Sequence, residues 1–129
     1  MNINELAKEV HENAVRLGEW ERTPALPEAL CLIQAEITSA FEEWSDNKPL
    51  IYGTCALAAE DCKYSGICDQ VGQPDEEGAG IAGPCKPEGI AVELADVILR
   101  TLDLMAALGI DVDAVVTAKH KWNKGRASL

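Results

Sequence analysis

The sequence has few basic residues for its number of acidic ones. Its 129 residues include 11 lysines and arginines against 22 aspartates and glutamates, which gives a formal net charge of −11. Nucleic acids and anionic membranes both attract basic surfaces, so neither is expected as a partner. A phosphate-bearing ligand would need metal ions and a local group of basic side chains in order to approach. The chain length predicts a single domain, residues 1–129, with a modest core.

Long apolar segments are also missing. The first ten residues, MNINELAKEV, contain no apolar run and predict a helix, so no secretory signal is expected. The longest apolar segment, residues 89–110, carries four charged residues and is not expected to span a membrane. A cytoplasmic location is therefore the default expectation. In that reducing compartment, five cysteines favour thiols or metal ligands over disulfides.

Several common catalytic motifs are absent from the sequence. It contains no Gly-rich phosphate loop, no recognisable Ser-His-Asp set and no HExxH motif. His11 and His120 stand alone, and we expect both to be surface or structural groups.

Hydrophobic periodicity predicts an all-α fold with four main helices. The predicted helices cover residues 3–18, 27–46 and 89–110, and the last begins near Asp111. Asn4 is expected to cap the first helix, and Asp111 or Asp113 the last. Small helical units often bury their remaining apolar surface by forming oligomers. Trp44 and Trp122 are accordingly expected in the core or in a subunit interface.

Two of the predicted helices carry acidic residues at three- and four-residue spacing. Glu36 and Glu43 lie with Ser39 on one stripe of the second helix, and Glu93 and Asp96 lie one turn apart on the third. If these stripes face each other, they form a carboxylate pocket that suits a hard cation such as Mg²⁺. The alternative is an ordinary solvated stripe, in which Asp96 pairs with Arg100. The spacing leaves both interpretations open.

A long Cys/Gly/Pro-rich insert, about residues 47–88, separates the second and third helices. A loop of this length is normally functional or mobile. Four of its residues, spaced C-x6-C-x5-C-x16-C, are candidate zinc ligands: Cys55, Cys62, Cys68 and Cys85. The spacing lacks the C-x2-C pair of zinc ribbons, so independent reduced cysteines are the alternative. Cys31, on the second helix, is expected to be a small core residue.

The last helix ends in a basic segment that contains Lys119, Lys121, Lys124 and Arg126. Basic residues near a helix C-terminus interact favourably with the helix dipole. They would also serve as a phosphate clamp if this end of the helix met the acidic pocket.

Four segments resemble the MazG-like all-α nucleoside triphosphate pyrophosphohydrolases, especially the short phage and environmental forms. These segments are HENAVRLGEWER, LIQAEITSAFEEW, KPEGIAVELADVILRTLDLMAALGID and AKHKWNKGR. They are similar, in order, to the family's Gly-x-Trp stretch, its E-x-x-E helix, its E-x-x-D helix and its closing Lys, Asn and Arg segment. The resemblance covers both ends of the chain and skips the middle.

The resemblance implies a four-helix MazG-like bundle with Mg²⁺ as cofactor and Mn²⁺ as a substitute. By position, the residues that match the family's metal-binding acids are Glu36, Glu93 and Asp96. The residues that match its substrate-binding groups are Lys119, Asn123 and Arg126 for the phosphate chain and Trp20 for the nucleotide. The family's second acid is replaced by Ser39, a neutral and weaker ligand. Glu43 lies one turn further along the stripe and is the candidate replacement.

The implied activity is hydrolysis of a nucleoside triphosphate between the α and β phosphates, which yields a monophosphate and pyrophosphate. The implied catalytic residues are Glu36, Glu43, Glu93 and Asp96, and either Glu36 or Glu43 would orient or deprotonate the attacking water. The family also implies a homodimer or homotetramer. Two alternatives stay open: a catalytically weak bundle that binds a nucleotide or a metal, and an interaction module stapled by zinc.

Overall fold

The computed structural model describes residues 2–54 and 86–126, and this part of the chain is mostly helical. It contains four helices and two short strands: α1 Ile3–Arg16, α2 Leu26–Ser45, β1 Tyr52–Thr54, β2 Lys86–Glu88, α3 Ile90–Ala107 and α4 Val112–Gly125. The expectation of a helical chain with four main helices is confirmed. Cys55, Cys62, Cys68 and Cys85 lie outside the described residues, so their zinc site stays a prediction.

The first helix is capped two residues earlier than predicted. The side chain of Asn2 accepts a hydrogen bond from the Glu5 backbone N–H at 2.9 Å, and the Asn2 N–H donates to the Glu5 carboxylate at 3.2 Å. This reciprocal pair is a capping box, so the prediction of Asn4 as the cap is wrong. Asn4 instead donates to Asp111 at 2.9 Å and accepts from the Asp113 N–H at 3.1 Å. Asn4 therefore ties the start of α1 to the start of α4.

The ends of the helices follow ordinary capping chemistry. Gly18, just after α1, adopts a φ of 84°, the left-handed conformation that glycine accepts without a steric penalty. Asp111 caps α4 and accepts from the Ala114 N–H at 3.1 Å, which confirms one of the two predicted caps. The Asn4 side chain and the Ala114 N–H together lower the pKa of Asp111 because both donate to its carboxylate.

The chain divides into two compact units, one made of Met1–Ile33 with Ile98–Leu129 and the other of Gln34–Val97. The first unit contains a small apolar core drawn from α1, the second half of α3 and α4. Its buried members are Ala7, Leu102 and Val112, and the partly buried residues packed against them are Ile3, Leu6, Met105 and Ala106. This core joins α1 to α4.

The second unit contains a two-stranded antiparallel sheet that the sequence analysis did not predict. Tyr52 in β1 pairs with Glu88 in β2, and the Ala91 N–H of α3 donates to the Leu50 carbonyl at 3.1 Å. Gly89 has a φ of 111°, and a Cβ there would collide with the Leu50 carbonyl. Three-residue strands are too short for a period-two pattern, so this pairing left no clear sequence signal.

Large apolar side chains remain exposed on the described chain. Its buried apolar residues are four alanines, Leu102 and Val112, whereas Trp44 and Trp122 are each 65 % exposed. Neither tryptophan lies in a core of this chain. Cys31 is also exposed, so its prediction as a core residue is wrong. Helical spacing alone did not reveal that Cys31 and Trp44 of α2 are exposed. Within the described residues, none of the helices has the length and apolar character needed to cross a membrane.

Candidate metal centre and aromatic cleft

Three predicted site residues meet in the second unit. Glu36 comes from α2, and Glu93 and Asp96 come from adjacent turns of α3. Each offers one carboxylate oxygen, and these oxygens lie within 4.8 Å of one another. All three residues are half-buried, and we refer to them as the acidic triad.

The acidic triad concentrates negative charge in partly desolvated surroundings. Partial burial is the first cause that raises the pKa of Glu93, and the charge of Asp96 is the second. The charges of Glu36 and Glu43 raise the same pKa further, as does a hydrogen bond with Glu36. A bound cation would relieve this repulsion, since it favours the ionised form of every carboxylate around it.

The chemistry of these donors fits a hard divalent cation. Mg²⁺ takes oxygen ligands and is usually held by one or two carboxylates together with waters and substrate phosphates. The acidic triad supplies carboxylate oxygens alone, whereas zinc sites are typically built with histidine or cysteine. Mn²⁺ accepts the same oxygen donors as Mg²⁺. The residues present therefore suit Mg²⁺ or Mn²⁺.

The position of the family's second acid is filled by a side chain engaged with its own helix. Ser39 is half-buried, and its hydroxyl donates to the Ala35 carbonyl oxygen at 3.2 Å. A neutral hydroxyl in this position adds no charge to the acidic triad. The missing charge would have to come from another residue.

Glu43, the candidate replacement, is held by a residue that the sequence analysis did not single out. The Tyr52 hydroxyl lies 2.8 Å from each of the two carboxylate oxygens of Glu43 and donates to this carboxylate. That hydrogen bond is the main cause that raises the pKa of Tyr52 to about 12, followed by desolvation and by the charges of Glu43 and Glu88. Tyr52 reaches Glu43 through the unpredicted strand pairing, so spacing along the chain did not reveal the contact.

Trp20 lies in the first unit, beside a different carboxylate. Its indole Nε1 donates to Asp103 at 3.0 and 3.1 Å, and His11 Nδ1 lies 2.7 Å from the same carboxylate. The rings of His11 and Trp20 meet edge to face, with their centroids 5.1 Å apart. This contact agrees with a structural role for His11. In the sequence, Asp103 belongs only to a charged stripe of the third helix, so its contacts with His11 and Trp20 were not predicted.

An open cleft of about 330 Å³ lies beside the Trp20 indole. Its lining combines apolar side chains with a few charged ones and includes Trp20, Pro24, Ile33, Leu104, Arg100 and Asp103. Mostly apolar walls with a few polar groups are typical of sites for planar organic ligands.

The basic candidates occupy an exposed helix. Lys119 and Asn123 lie on α4, and Arg126 is the residue that caps its C-terminus. All three are exposed and belong to the first unit, whereas the acidic triad belongs to the second. His120 is exposed on the same helix, in agreement with a surface role.

Comparison with known proteins finds no family model, no curated protein and no solved structure that matches this chain.

Proposed function

We propose that this protein is a Mg²⁺-dependent nucleoside triphosphate pyrophosphohydrolase of the MazG-like type. The observation that carries the proposal is the meeting of Glu36, Glu93 and Asp96, with carboxylate oxygens within 4.8 Å of one another. These are the same three residues that the family resemblance assigns to the metal. Helix bundles build carboxylate metal sites in this way, from side chains on facing helices.

The reaction transfers a nucleotidyl group to water. A water oxygen bonds to the α phosphorus, the bond to the oxygen that bridges the α and β phosphates breaks, and pyrophosphate leaves with the electron pair. A Mg²⁺ ion at the acidic triad would polarise the phosphoryl oxygens and lower the pKa of the attacking water. Glu36 or Glu43 orients this water and accepts its proton. The bulk solvent then takes the proton from the carboxyl group.

The remaining site residues are assigned to substrate binding. The family resemblance assigns Lys119 and Arg126 to the charge that develops on the leaving pyrophosphate, and the amide of Asn123 to the phosphate chain. Trp20 offers an aromatic surface on which a base stacks, and its cleft contains enough space for a flat ring system. These four roles come from the family resemblance, and the cleft beside Trp20 is the structural observation that supports one of them.

We further propose that the protein works as a homodimer or homotetramer. Five exposed apolar residues of α2 recur at helical spacing and form one stripe, made of Leu26, Leu30, Ile37, Phe41 and Trp44. Large exposed apolar patches mark interaction surfaces. A second copy of this chain is the partner that the family resemblance implies.

A second candidate function is a bundle that binds a nucleotide or a metal with little or no turnover. The Ser39 hydroxyl favours it, because it donates to its own helix at the position where the family carries an acid. A site with one charge fewer would hold its cation less tightly. The two candidates differ in turnover and agree in metal binding.

The deciding experiment measures pyrophosphate release from ribo-, deoxyribo- and modified nucleoside triphosphates, with Mg²⁺, with Mn²⁺ and with EDTA. The proposal predicts equimolar monophosphate and pyrophosphate that depend strictly on the divalent ion. Glu93→Gln should abolish release while the protein stays folded. Glu42→Gln removes the same charge from an exposed residue of α2 and should leave release unchanged.

Each result selects one candidate. If none of the nucleoside triphosphates releases pyrophosphate but the melting temperature rises with Mg²⁺ and nucleotide, the result would select the non-catalytic binder. Neither turnover nor any shift with Mg²⁺ or Mn²⁺, from folded protein, would reject both. Bound zinc that disappears when Cys55 or Cys68 is replaced would then support the zinc-stapled interaction module.

A further inference from the structure

We infer that Tyr52 is a positioning residue that holds Glu43 as the fourth acid of the metal site formed by the acidic triad. The inference rests on the proposed function, since it concerns the same site. It adds a residue outside the helices to that site, and it explains how the chain tolerates Ser39.

The contact between Tyr52 and Glu43 restricts the position of a carboxylate. The phenol oxygen lies 2.8 Å from both carboxylate oxygens of Glu43, so the hydroxyl is centred on the carboxylate. This contact holds the end of the Glu43 side chain at a fixed distance from the phenol. Hydrogen bonds to ionised acceptors are also stronger than those between neutral groups.

The phenol is itself fixed by the strand pair. Tyr52 lies directly opposite Glu88, and the carboxylate of Glu88 forms an ion pair with Lys86 at 3.5 Å. Next to this pair, the Leu50 carbonyl accepts the Ala91 N–H in the first turn of α3. The sheet is therefore joined to the helix that carries Glu93 and Asp96. This connection gives Tyr52 a defined place relative to those two acids.

The charge of Glu43 acts on the acidic triad. It adds to the repulsion that Glu93 experiences from Asp96 and Glu36. The Tyr52 hydroxyl donates to the Glu43 carboxylate and so holds this charge in place. Ser39 contributes no charge, and its hydroxyl donates to the backbone of α2. Glu43 therefore supplies the charge that a fourth acid would bring, one turn further along the helix.

The test measures Mn²⁺ binding to the metal-free protein by calorimetry or by electron paramagnetic resonance, without substrate. Tyr52→Phe removes the hydroxyl and keeps the ring. Because residues that orient metal ligands typically change affinity by about tenfold to a hundredfold, we expect binding to weaken by about tenfold. Glu43→Gln should weaken it at least as much. The double variant should bind as Glu43→Gln does, since Tyr52 acts through Glu43.

A matched control separates positioning from damage to the sheet. Lys86→Ala removes the ion pair with Glu88 from the same strand pair and keeps both the Tyr52 hydroxyl and the Glu43 carboxylate. It should bind Mn²⁺ as the wild type does. If Tyr52→Phe does not fold, Tyr52→Leu takes its place, because it also removes the hydroxyl and keeps an apolar side chain in the strand.

The possible failures are distinguishable. Wild-type Mn²⁺ binding that Tyr52→Phe or Glu43→Gln leaves unchanged would overturn this inference and leave the proposed function standing. A further loss in the double variant beyond that of Glu43→Gln would also overturn it, since Tyr52 would then act by another route. A wild-type protein that binds no Mn²⁺ would remove both the inference and the proposed function.

Discussion

The indole nitrogen of Trp20 lies 3.0 and 3.1 Å from the two carboxylate oxygens of Asp103. The Asp103 side chain is 17 % exposed, and one of its oxygens also lies 2.7 Å from His11 Nδ1. Three segments of the first unit therefore meet at one carboxylate: α1, the connection after it and α3. The contact fixes the ring that the proposed function assigns to base stacking.

Replacing Asp103 with alanine should release this ring. The Trp20 N–H would lose its acceptor, and we expect a loss of about 1–3 kcal/mol in the free energy of unfolding. Trp44 and Trp122 are already 65 % exposed, so a red shift of the fluorescence would report mainly on Trp20. Glu9→Ala, on the exposed side of α1, is the control and should change neither quantity. Unchanged emission and stability in Asp103→Ala would show that the contact does not hold Trp20 in solution.

Replacing Glu93 with glutamine should stabilise the metal-free protein. Because the pKa of Glu93 is raised in the folded state, the folded protein binds this proton more tightly than the unfolded chain. The ionised carboxylate therefore destabilises the fold above that raised pKa. As the pH falls through the raised pKa toward the unfolded-state pKa of about 4.5, this destabilisation disappears. Glutamine carries no charge at any pH, so Glu93→Gln lacks this destabilisation over the whole pH range.

Thermal melting in EDTA at several pH values measures this effect. At pH 8 the Glu93→Gln melting temperature should exceed the wild-type value by about 1–4 °C, and the difference should shrink toward pH 4. Glu42→Gln controls for the loss of an exposed charge and should show no such pH dependence. A lower melting temperature for Glu93→Gln at pH 8 would mean that Glu93 supports the fold.

The sequence predicted the helices well because their signals are local. The predicted span 27–46 differs from α2 by one residue at each end, and Asp111 caps α4 as expected. Asn2 and Asn4 carry the same side chain, but only Asn2 has a glutamate three residues later, so the local capping-box pattern distinguishes the two. Asn4 bonds to Asp111, which is 107 residues away. Local rules contain no information on such a partner.

The acids of the candidate site were also visible in the sequence, because helical spacing aligns residues three and four apart. Helical spacing identified Glu36, Glu93 and Asp96 as candidates, but it did not show that their carboxylate oxygens lie close together. Tyr52 is different, since it lies in a three-residue strand whose partner strand is at the other end of the predicted insert. No periodicity links Tyr52 to Glu43, so this contact required the structure.

Replacing Ser39 with glutamate should restore the acid that the family resemblance leads us to expect. Without metal, a further negative charge beside the acidic triad should lower the melting temperature, because like charges repel. With Mn²⁺, affinity should rise by about tenfold, since a carboxylate replaces a neutral oxygen. Ser39→Gln controls for the added volume and should show no gain in affinity. Equal Mn²⁺ affinity in Ser39→Glu and the wild type would mean that this position does not face the cation.

Replacing Phe41 with glutamate should weaken self-association. Phe41 is 61 % exposed, and its ring contacts that of Trp44 with the centroids 5.7 Å apart, so the two rings form one apolar surface on α2. A charge buried in the interface of a dimer is strongly unfavourable, and truncation of central aromatic residues typically costs more than 1 kcal/mol. Analytical ultracentrifugation should show a dissociation constant that rises by about tenfold or more.

Phe41→Leu is the control for this prediction, because it keeps an apolar side chain and should remain associated. A wild-type protein that stays monomeric at high concentration would contradict the proposed oligomer. An oligomer that Phe41→Glu leaves intact would place the interface on another surface.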